Sequence, residues 1–376
     1  MIIIDAHEDL AYSALTFGRD YTQSAAFIRQ SEKGTFIPSV NGHAMLGWKE
    51  YQQGKIAIIF ATLFITPERY KEGEWDVISY RTPEQAHKLY WKEIDYYQKL
   101  CEENPQKFQL VSNRLNLQTV LSCWEQKQNS EMGNTTTCPT GLVMLMESAE
   151  GIRHPREMEE YWEAGVRIVG PVWAGGRFCG GSMEGERFTK EGYELLETMA
   201  TLGFALDVTH MNEISTLQAL DIYEGVVIAS HSNARALIRY NGGEYHITDR
   251  KGERHLSDLA IRRLIERDGV IGVLPYNRFL RPGWAEQDGR HLVTLKDLAA
   301  HIDHICQIAG NARHVGIGTD FDGGFGWPAI PLEMETIADL QKLSGVLAEK
   351  GYQFEDIAAI LGGNWQRILE KVLPES

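Results

Sequence analysis

The sequence lacks the patterns of a thiolate metal site, a membrane span and a nucleic-acid-binding surface. Its five cysteines are dispersed without any C-x-x-C pair, which argues against thiolate zinc and suits inert residues in a reducing cytoplasm. No apolar run reaches the roughly 18–20 residues that a membrane span requires. The net charge of −15 would repel a nucleic-acid backbone, so no nucleic-acid partner is expected.

The N-terminus also lacks the pattern of an export signal. It opens on Met1-Ile2-Ile3-Ile4-Asp5, with no basic region, no long apolar region and no small-residue cleavage site. We therefore expect a soluble, cytoplasmic protein without a membrane partner. Hydrophobic residues make up 43 % of the chain, so a large buried core is possible and disorder is not expected.

Short β-branched runs alternate with longer amphipathic stretches along the 376 residues. The predicted strands are Ile2–Ala6, Ile56–Phe64, Leu142–Met146, Arg167–Pro171, Phe204–Val208, Val226–Ser230, Val270–Leu274 and Val315–Thr319. The predicted helices are Pro83–Cys101, Glu157–Glu163, Lys190–Leu202, Asp258–Arg267, Leu295–Ala309 and Leu332–Glu349, with a further helical stretch at Phe354–Leu373. Eight strand–helix units predict a parallel (β/α)₈ barrel; an open doubly wound sheet is the alternative.

No linker divides the chain, so one domain over residues 1–376 is predicted. Loop insertions are expected near residues 126–140, 240–254 and 275–291. The last two follow strands six and seven, on the face where barrels carry their active sites, and are candidate lids.

Ligand-type residues stand where predicted strands end. They are His7, Asp9, Glu147, His210, His231 and Asp320. In a barrel the carboxyl ends of all strands meet at one rim, so these side chains are expected to converge. Imidazole and carboxylate groups without thiolate indicate a site for zinc or a similar divalent metal.

Spacing and burial distinguish these residues from their neighbours. His7 and Asp9 stand at i and i+2 of an extended segment and point to the same side, whereas Glu8 points away. Asp5 lies deeper on the same strand, where we expect it to support the ligands rather than bind the metal. Glu147 follows an apolar run, where a carboxylate is costly to bury unless it is paired or metal-bound.

Three other carboxylates near the strand ends, Glu150, Asp207 and Asp322, must be distinguished from the candidate site residues. Glu150 falls in the loop after Glu147 and is expected to be solvated. Asp207 precedes His210 and is a candidate for a buried orienting group. Asp320 should face the barrel mouth and exchange protons with a metal-bound water, whereas Asp322 is expected to shape the glycine-rich turn.

At these residues the chain resembles the membrane dipeptidase family, also called renal dipeptidase-like or peptidase family M19, within the amidohydrolase superfamily. The resemblance spans nearly the whole chain in order. The matching segments are 5–10 (DAHEDL), 147–151 (ESAEG), 206–210 (LDVTH), 229–235 (ASHSNAR), 254–258 (RHLSD), 316–323 (GIGTDFDG) and 361–364 (LGGN).

The resemblance implies a role for each residue of the site. Two zinc ions per chain are expected, one held by His7 and Asp9 and the other by His210 and His231, with Glu147 bridging them. Asp320 matches the acid/base, and Arg254 matches the arginine that grips the substrate carboxylate. Tyr276 is a weaker candidate for the substrate pocket. Arg235 is a rival for the carboxylate, but its place in the sequence looks structural.

Two features depart from the family pattern. The family often has a histidine at the end of strand four, thought to bind substrate and steady the tetrahedral intermediate, where this chain has Trp173 as a candidate substrate contact. Tryptophan donates one N–H but carries no charge, which puts that role and dipeptide specificity in doubt. The insertion at residues 240–254 makes the match of Arg254 less secure.

The predicted activity is zinc-dependent hydrolysis, through a metal-bridging hydroxide, of the amide bond of dipeptides or similar small amides bearing a carboxylate. One alternative is a barrel of this type acting on a lactone, an ester or a substrate for deamination. Another is a metal-binding relative without catalysis. The resemblance also implies a homodimer.

Overall fold

The computed structural model describes residues 1–129, 137–238 and 253–375. Eleven strands lie in this part of the chain. They are β1 (Ile3–Glu8), β2 (Ile56–Leu63), β3 (Thr66–Pro67), β4 (Ser79–Tyr80), β5 (Phe108–Leu110), β6 (Thr140–Met146), β7 (Val166–Val169), β8 (Ala205–Asp207), β9 (Val227–Ile228), β10 (Ile271–Val273) and β11 (Val315–Ile317).

Eight of these strands form a nearly closed parallel barrel. Their order around it is β1, β2, β6, β7, β8, β9, β10 and β11, and β11 pairs again with β1. A parallel bridge between Ala229 and Ile271 joins β9 to β10. The predicted (β/α)₈ barrel is confirmed, and the open doubly wound alternative is wrong. Each barrel strand overlaps its predicted run, and most are a few residues shorter.

Helices follow the barrel strands on the outside. They are α1 (Leu10–Phe17), α2 (Ala25–Ser31), α3 (Ile37–Asn41), α4 (Trp48–Gly54), α5 (Pro83–Glu103), α6 (Arg114–Asn129), α7 (Met158–Glu163), α8 (Lys190–Leu202), α9 (Glu213–Ile222), α10 (Asp258–Glu266), α11 (Asn277–Leu280), α12 (Leu295–Ala309), α13 (Leu343–Glu349), α14 (Phe354–Ala358) and α15 (Asn364–Val372). Within the described residues, no helix is long and apolar enough to cross a membrane.

Capping residues explain several helix boundaries. Helix α8 begins where the Thr189 side chain accepts the Gly192 N–H, and it ends at Gly203 with φ of 92°. The predicted helix Leu332–Glu349 is only partly correct. Asp339 accepts the Thr336 N–H, so a 3₁₀ helix begins at Ile337 and α13 follows it. Apolar periodicity alone does not show that a cap delays a helix start.

The barrel interior is apolar below the strand ends. Every residue of β2 and β6 is buried, as expected for parallel strands covered on both faces. Trp365 of α15 packs on Phe60 with ring centroids 5.3 Å apart and donates its indole N–H to the Ile317 carbonyl at 2.9 Å. Burying a side chain of this size contributes about 2–3 kcal/mol to the stability of the barrel.

The prediction that all five cysteines are inert is wrong. Cys123 of α6 and Cys138, just before β6, form a disulfide with their Cα atoms 5.8 Å apart. The odd cysteine count concealed this pair, because only the path of the chain brings the two residues together. The other three cysteines are buried thiols. The predicted loop insertion at 240–254 lies almost wholly outside the described residues. Of the insertion predicted at 126–140, residues 130–136 lie outside them, and residues 126–129 belong to α6.

A small two-stranded sheet lies beside the barrel mouth and was not predicted. Strand β3 follows β2 almost directly and pairs in parallel with β4, with Thr66 opposite Ser79. The pairing closes a loop over residues 68–78. Asp76 and Ile78 are buried in this loop, as is Thr66 just before it, whereas the other loop residues are exposed or half-buried.

Candidate metal centre

Three histidines from three strands meet at one carboxylate oxygen. The Nε2 atoms of His7, His210 and His231 lie 3.5, 2.9 and 3.5 Å from Oε1 of Glu147. The Nε2 atoms of His210 and His231 lie 3.1 Å apart. Strand β1 carries His7, whereas the other two histidines follow β8 and β9. The structure therefore brings together four of the five predicted metal ligands, namely Glu147 and the three histidines.

Asp9 and Asp320 complete the centre on the other side of His7. The Nε2 atom of His7 lies 3.9 Å from Oδ2 of Asp9 and 3.9 Å from Oδ1 of Asp320. Both His210 and Asp320 adopt left-handed backbone conformations, with φ of 69° and 58°. Such conformations are strained for residues with a Cβ and cluster at functional sites, because a rigid fold must impose them.

Burial controls the protonation of these groups. It lowers the pKa of His7, His210 and His231 well below the ordinary value, so their rings are neutral and can offer lone pairs. It raises the pKa of Glu147 and Asp320 well above the ordinary value, and the negative charge of Asp9 raises both further. Neutral imidazoles beside crowded carboxylates are the environment that a bound cation stabilises.

The donor set fits a divalent metal. Nε2 of His7 is buried and has no hydrogen-bond partner among the described residues, although carboxylate oxygens surround it. Two groups of side chains place their ligand atoms within 4.8 Å of one another: His7, Glu147 and His231, and His7, Asp9 and Asp320. Nitrogen and carboxylate oxygen ligands suit zinc.

Ser230 links the histidines to a buried carboxylate, and sequence reasoning missed it. Its hydroxyl donates to Asp207 and lies 2.9 Å from Nδ1 of His231 and 3.5 Å from Nδ1 of His7. Asp207 also accepts the N–H groups of Ser230 and Thr209 at 2.9 and 3.0 Å. Asp207 therefore orients the rings through Ser230, which agrees with the orienting role predicted for it.

The carboxylates of β1, and Asp9 directly after it, are held by different contacts. Asp5 accepts the N–H of Thr319 at 2.7 Å and also its hydroxyl, so it fixes the end of β11 just before Asp320. Thr62 of β2 donates to Asp9. Glu8 points away from the centre and accepts from the Tyr51 hydroxyl, as its alternation with His7 and Asp9 predicts.

Asp322 anchors the turn that carries Asp320. Its carboxylate accepts the Met45 N–H at 2.8 Å and the Tyr21 hydroxyl at 3.1 Å, and it lies 3.2 Å from Nη1 of Arg19. These partners agree with the structural role predicted for Asp322. Glu150, the rival of Glu147, is half-buried rather than fully solvated, and it instead accepts the Arg177 N–H at 2.9 Å.

Arg254 contacts the backbone of one of the three histidines. It is buried, its Nη1 donates to the His231 carbonyl at 3.0 Å, and its positive charge lowers the pKa of His7 and His210. Arg235, its rival, pairs with Glu213 at 2.6 Å and donates to the His255 carbonyl, which agrees with the structural role predicted for it.

A cavity of about 150 Å³ opens beside the centre. Asp9, Glu147, His210 and Asp320 line one side of it, and the half-buried Trp173 lines another. The Trp173 ring centroid lies 6.2 Å from that of His210.

The other two predicted substrate contacts lie elsewhere. Tyr276 stacks on Phe325 at 4.1 Å, and the charge of Asp320 raises its pKa after the larger effect of burial. Neither Tyr276 nor Arg254 is among the described residues that line the cavity.

Two curated proteins share sequence with much of the chain. The chain is 30 % identical over 241 residues to an uncharacterized protein in the pqqA 5′ region of Klebsiella pneumoniae, covering 61 % of this chain and 82 % of that protein. It is 25 % identical over 382 residues to an uncharacterized dipeptidase of Schizosaccharomyces pombe, covering 98 % of this chain and 80 % of that protein.

Solved structures share the fold over the full length. A metallopeptidase named dipeptidase AC has a TM-score of 0.74 at 22 % identity, covering 100 % of this chain and 99 % of that one. A metallopeptidase from Rhodobacter sphaeroides, liganded with a phosphinate mimic of L-Ala-D-Ala, has a TM-score of 0.74 at 21 % identity, covering 99 % of each chain. The family model for membrane dipeptidases matches residues 1–374. The chain therefore belongs to the membrane dipeptidase family, peptidase family M19.

Proposed function

We propose that this metal-dependent dipeptidase is a zinc enzyme that hydrolyses the amide bond of dipeptides, or of similar small amides with a free carboxylate. The observation that carries the proposal is the meeting of three neutral histidines at Oε1 of Glu147, with Asp9 and Asp320 beside His7.

Five residues would hold the metal. His7 and Asp9 would bind one zinc ion, His210 and His231 would bind a second, and Glu147 would contact both. When bound, zinc polarises a carbonyl group and lowers the pKa of water to near neutrality. Asp207 and Ser230 keep Nε2 of His231 directed at the centre, because the serine hydroxyl engages the opposite ring nitrogen.

Asp320 is the proposed proton carrier. It faces the cavity, and Oδ1 lies 3.9 Å from Nε2 of His7. Burial and the charge of Asp9 raise the pKa of its carboxyl, which favours uptake of a proton. Asp320 would take the proton from the attacking water and deliver it to the leaving amine nitrogen, which balances the hydrolysis.

Arg254 is the proposed contact for the substrate carboxylate. Its guanidinium is buried beside the histidines, where a carboxylate would form a charge-assisted contact in a low-dielectric environment. Trp173 offers a flat apolar wall and one N–H donor on the other side of the cavity. Tyr276 would also contact the substrate, from its position near Asp320.

A dipeptide panel with C-terminal L- and D-alanine, run on zinc-reconstituted protein with a metal count, tests the activity. Full metal loading without hydrolysis of any dipeptide would refute it.

Arg254→Ala should raise KM for dipeptides by about 100-fold, the effect of losing a charge-assisted contact of about 3 kcal/mol. Arg263→Ala, a substitution on α10 where Arg263 pairs with Asp221, is the control and should leave KM unchanged. If Arg254→Ala also left the kinetics unchanged, its assigned role would be wrong.

A further inference from the structure

The cavity beside the metal centre has an acidic wall that the proposed reaction does not use. Five carboxylates line the cavity, and three of them belong to the centre. The other two, Glu72 and Asp76, come from the segment between β3 and β4. No lysine or arginine is among the described residues that line it. A cavity with this lining attracts cations.

Asp76 is buried without a full set of partners. It is 1 % exposed, and its Oδ1 has no hydrogen-bond partner in the described part of the chain. Burial raises the pKa of its carboxyl, and the hydroxyls of Thr66 and Tyr12 offset part of that effect. Lys71 also lowers this pKa, but its ammonium pairs with Glu74 at 3.5 Å. A buried polar atom without a partner costs about 1–3 kcal/mol, which a cationic ligand group would recover.

Aromatic side chains form the rest of this wall. Phe64 and Tyr70 meet Trp173 edge to face at centroid distances of 5.2 and 5.8 Å, and Tyr12 meets Phe64 at 5.3 Å. All four line the cavity. Aromatic faces attract cations and also accept the methylene stem of a lysine or arginine side chain.

The barrel places Asp76 across the centre from Arg254. Asp76 lies in the segment after β2, whereas Arg254 contacts the chain just after β9, and these two strands are four positions apart in the ring of eight. Tyr12 lines the same cavity as Asp9 and Asp76. A dipeptide whose carboxylate meets Arg254 would extend its N-terminal residue towards Asp76.

We propose that Asp76 recognises a positive charge on the side chain of the substrate's N-terminal residue, so that dipeptides beginning with lysine or arginine are preferred. The inference rests on the proposed dipeptidase function. Asp76 belongs to neither group of candidate metal ligands. Because Asp76 lines the cavity, a side-chain cation would meet it there, whereas the α-ammonium group would stay beside the scissile bond.

Substrates matched in shape but not in charge test the preference. We expect kcat/KM of the zinc-loaded wild type to be about tenfold higher, or more, for lysyl-alanine than for norleucyl-alanine and Nε-acetyl-lysyl-alanine, since charged hydrogen bonds contribute about this factor. A ratio at or below one would overturn the inference. Because this comparison needs no variant, it holds even where a substitution impairs folding.

A pair of variants assigns the preference to one residue. Asp76→Asn should bring the ratio close to one while leaving norleucyl-alanine turnover within about threefold of wild type, because only the charged contact is lost. Glu84→Gln removes the same charge from α5 outside the cavity and should keep the wild-type ratio. An unchanged ratio in Asp76→Asn would overturn the assignment. If the zinc-loaded wild type hydrolysed none of these substrates, norleucyl-alanine included, the proposed dipeptidase function would be refuted, rather than the assignment of Asp76.

Discussion

Gly323 offers a way to disturb the metal centre without unfolding the barrel. A Cβ placed on Gly323 would lie 2.2 Å from Oδ2 of Asp9 and 2.5 Å from Oδ1 of Asp320. The two oxygens would have to withdraw by about 0.8 and 0.5 Å to restore even a 3.0 Å contact. Both atoms are the ends of side chains, so they can move while the backbone stays in place. Gly323→Ala should therefore change the geometry of the site far more than the stability of the fold.

We expect Gly323→Ala to lower kcat/KM by about 100-fold, because misplacing catalytic groups by about 1 Å has effects of that size. Steady-state kinetics on a dipeptide, metal content and thermal unfolding measure the outcome. Gly324→Ala is the matched control. Gly324 has φ of 84° and open space around its Cβ position, so alanine there should destabilise the fold by about 1–2 kcal/mol through backbone strain and spare the carboxylates. Wild-type kcat/KM and metal content in Gly323→Ala would refute the reasoning.

Three further predictions concern stability. Burial lowers the pKa of His301 to about 3. As the pH falls below about 6.5, the unfolded chain therefore binds a proton at this residue that the folded chain does not bind, and the free energy of unfolding decreases. In urea titrations of chelated protein, the stability difference between wild type and His301→Gln should shrink by about 1 kcal/mol per pH unit from pH 6.5 to 4.5, and a constant difference would contradict this. Cys123→Ser should cost about 3 kcal/mol, because the disulfide to Cys138 spans 15 residues, and a reductant should lower the Tm of wild type but not of the variant. Removing zinc with a chelator should lower the Tm, and restoring free zinc to about 1,000 times its Kd should return about 4 kcal/mol; a Tm independent of zinc would count against the site.

The barrel and the convergence at its rim follow from local sequence patterns. His7, Glu147 and Asp320 each stand at or just after an apolar run, and a parallel barrel brings the carboxyl ends of its strands together whatever the loops do. The same rule predicts that Glu8 faces away from the centre. These predictions need only two facts. Side chains alternate between the two faces of a strand, and a polar or charged residue stands where each apolar run ends.

Contacts that depend on the path of a loop could not be predicted in the same way. Ser230 acts only because Asp207 of the neighbouring strand accepts from its hydroxyl, and a serine beside a histidine is uninformative alone. Asp76 belongs to no motif, since its burial follows from the pairing of β3 with β4. The pairing of Cys123 with Cys138 likewise depends on where α6 ends relative to β6.

The two sides of the cavity are therefore built differently. The metal side stands on barrel strands and is held by buried contacts, such as those of Asp207 with Ser230 and of Asp322 with Arg19. The opposite side consists of residues that no barrel strand carries, including Tyr12 of α1 and the loop residues Trp173 and Asp76. Substitutions in the second group can change which dipeptide fits while the ligand geometry stays fixed. Substrate preference in this protein should thus vary independently of metal binding, since the rigid barrel separates the two.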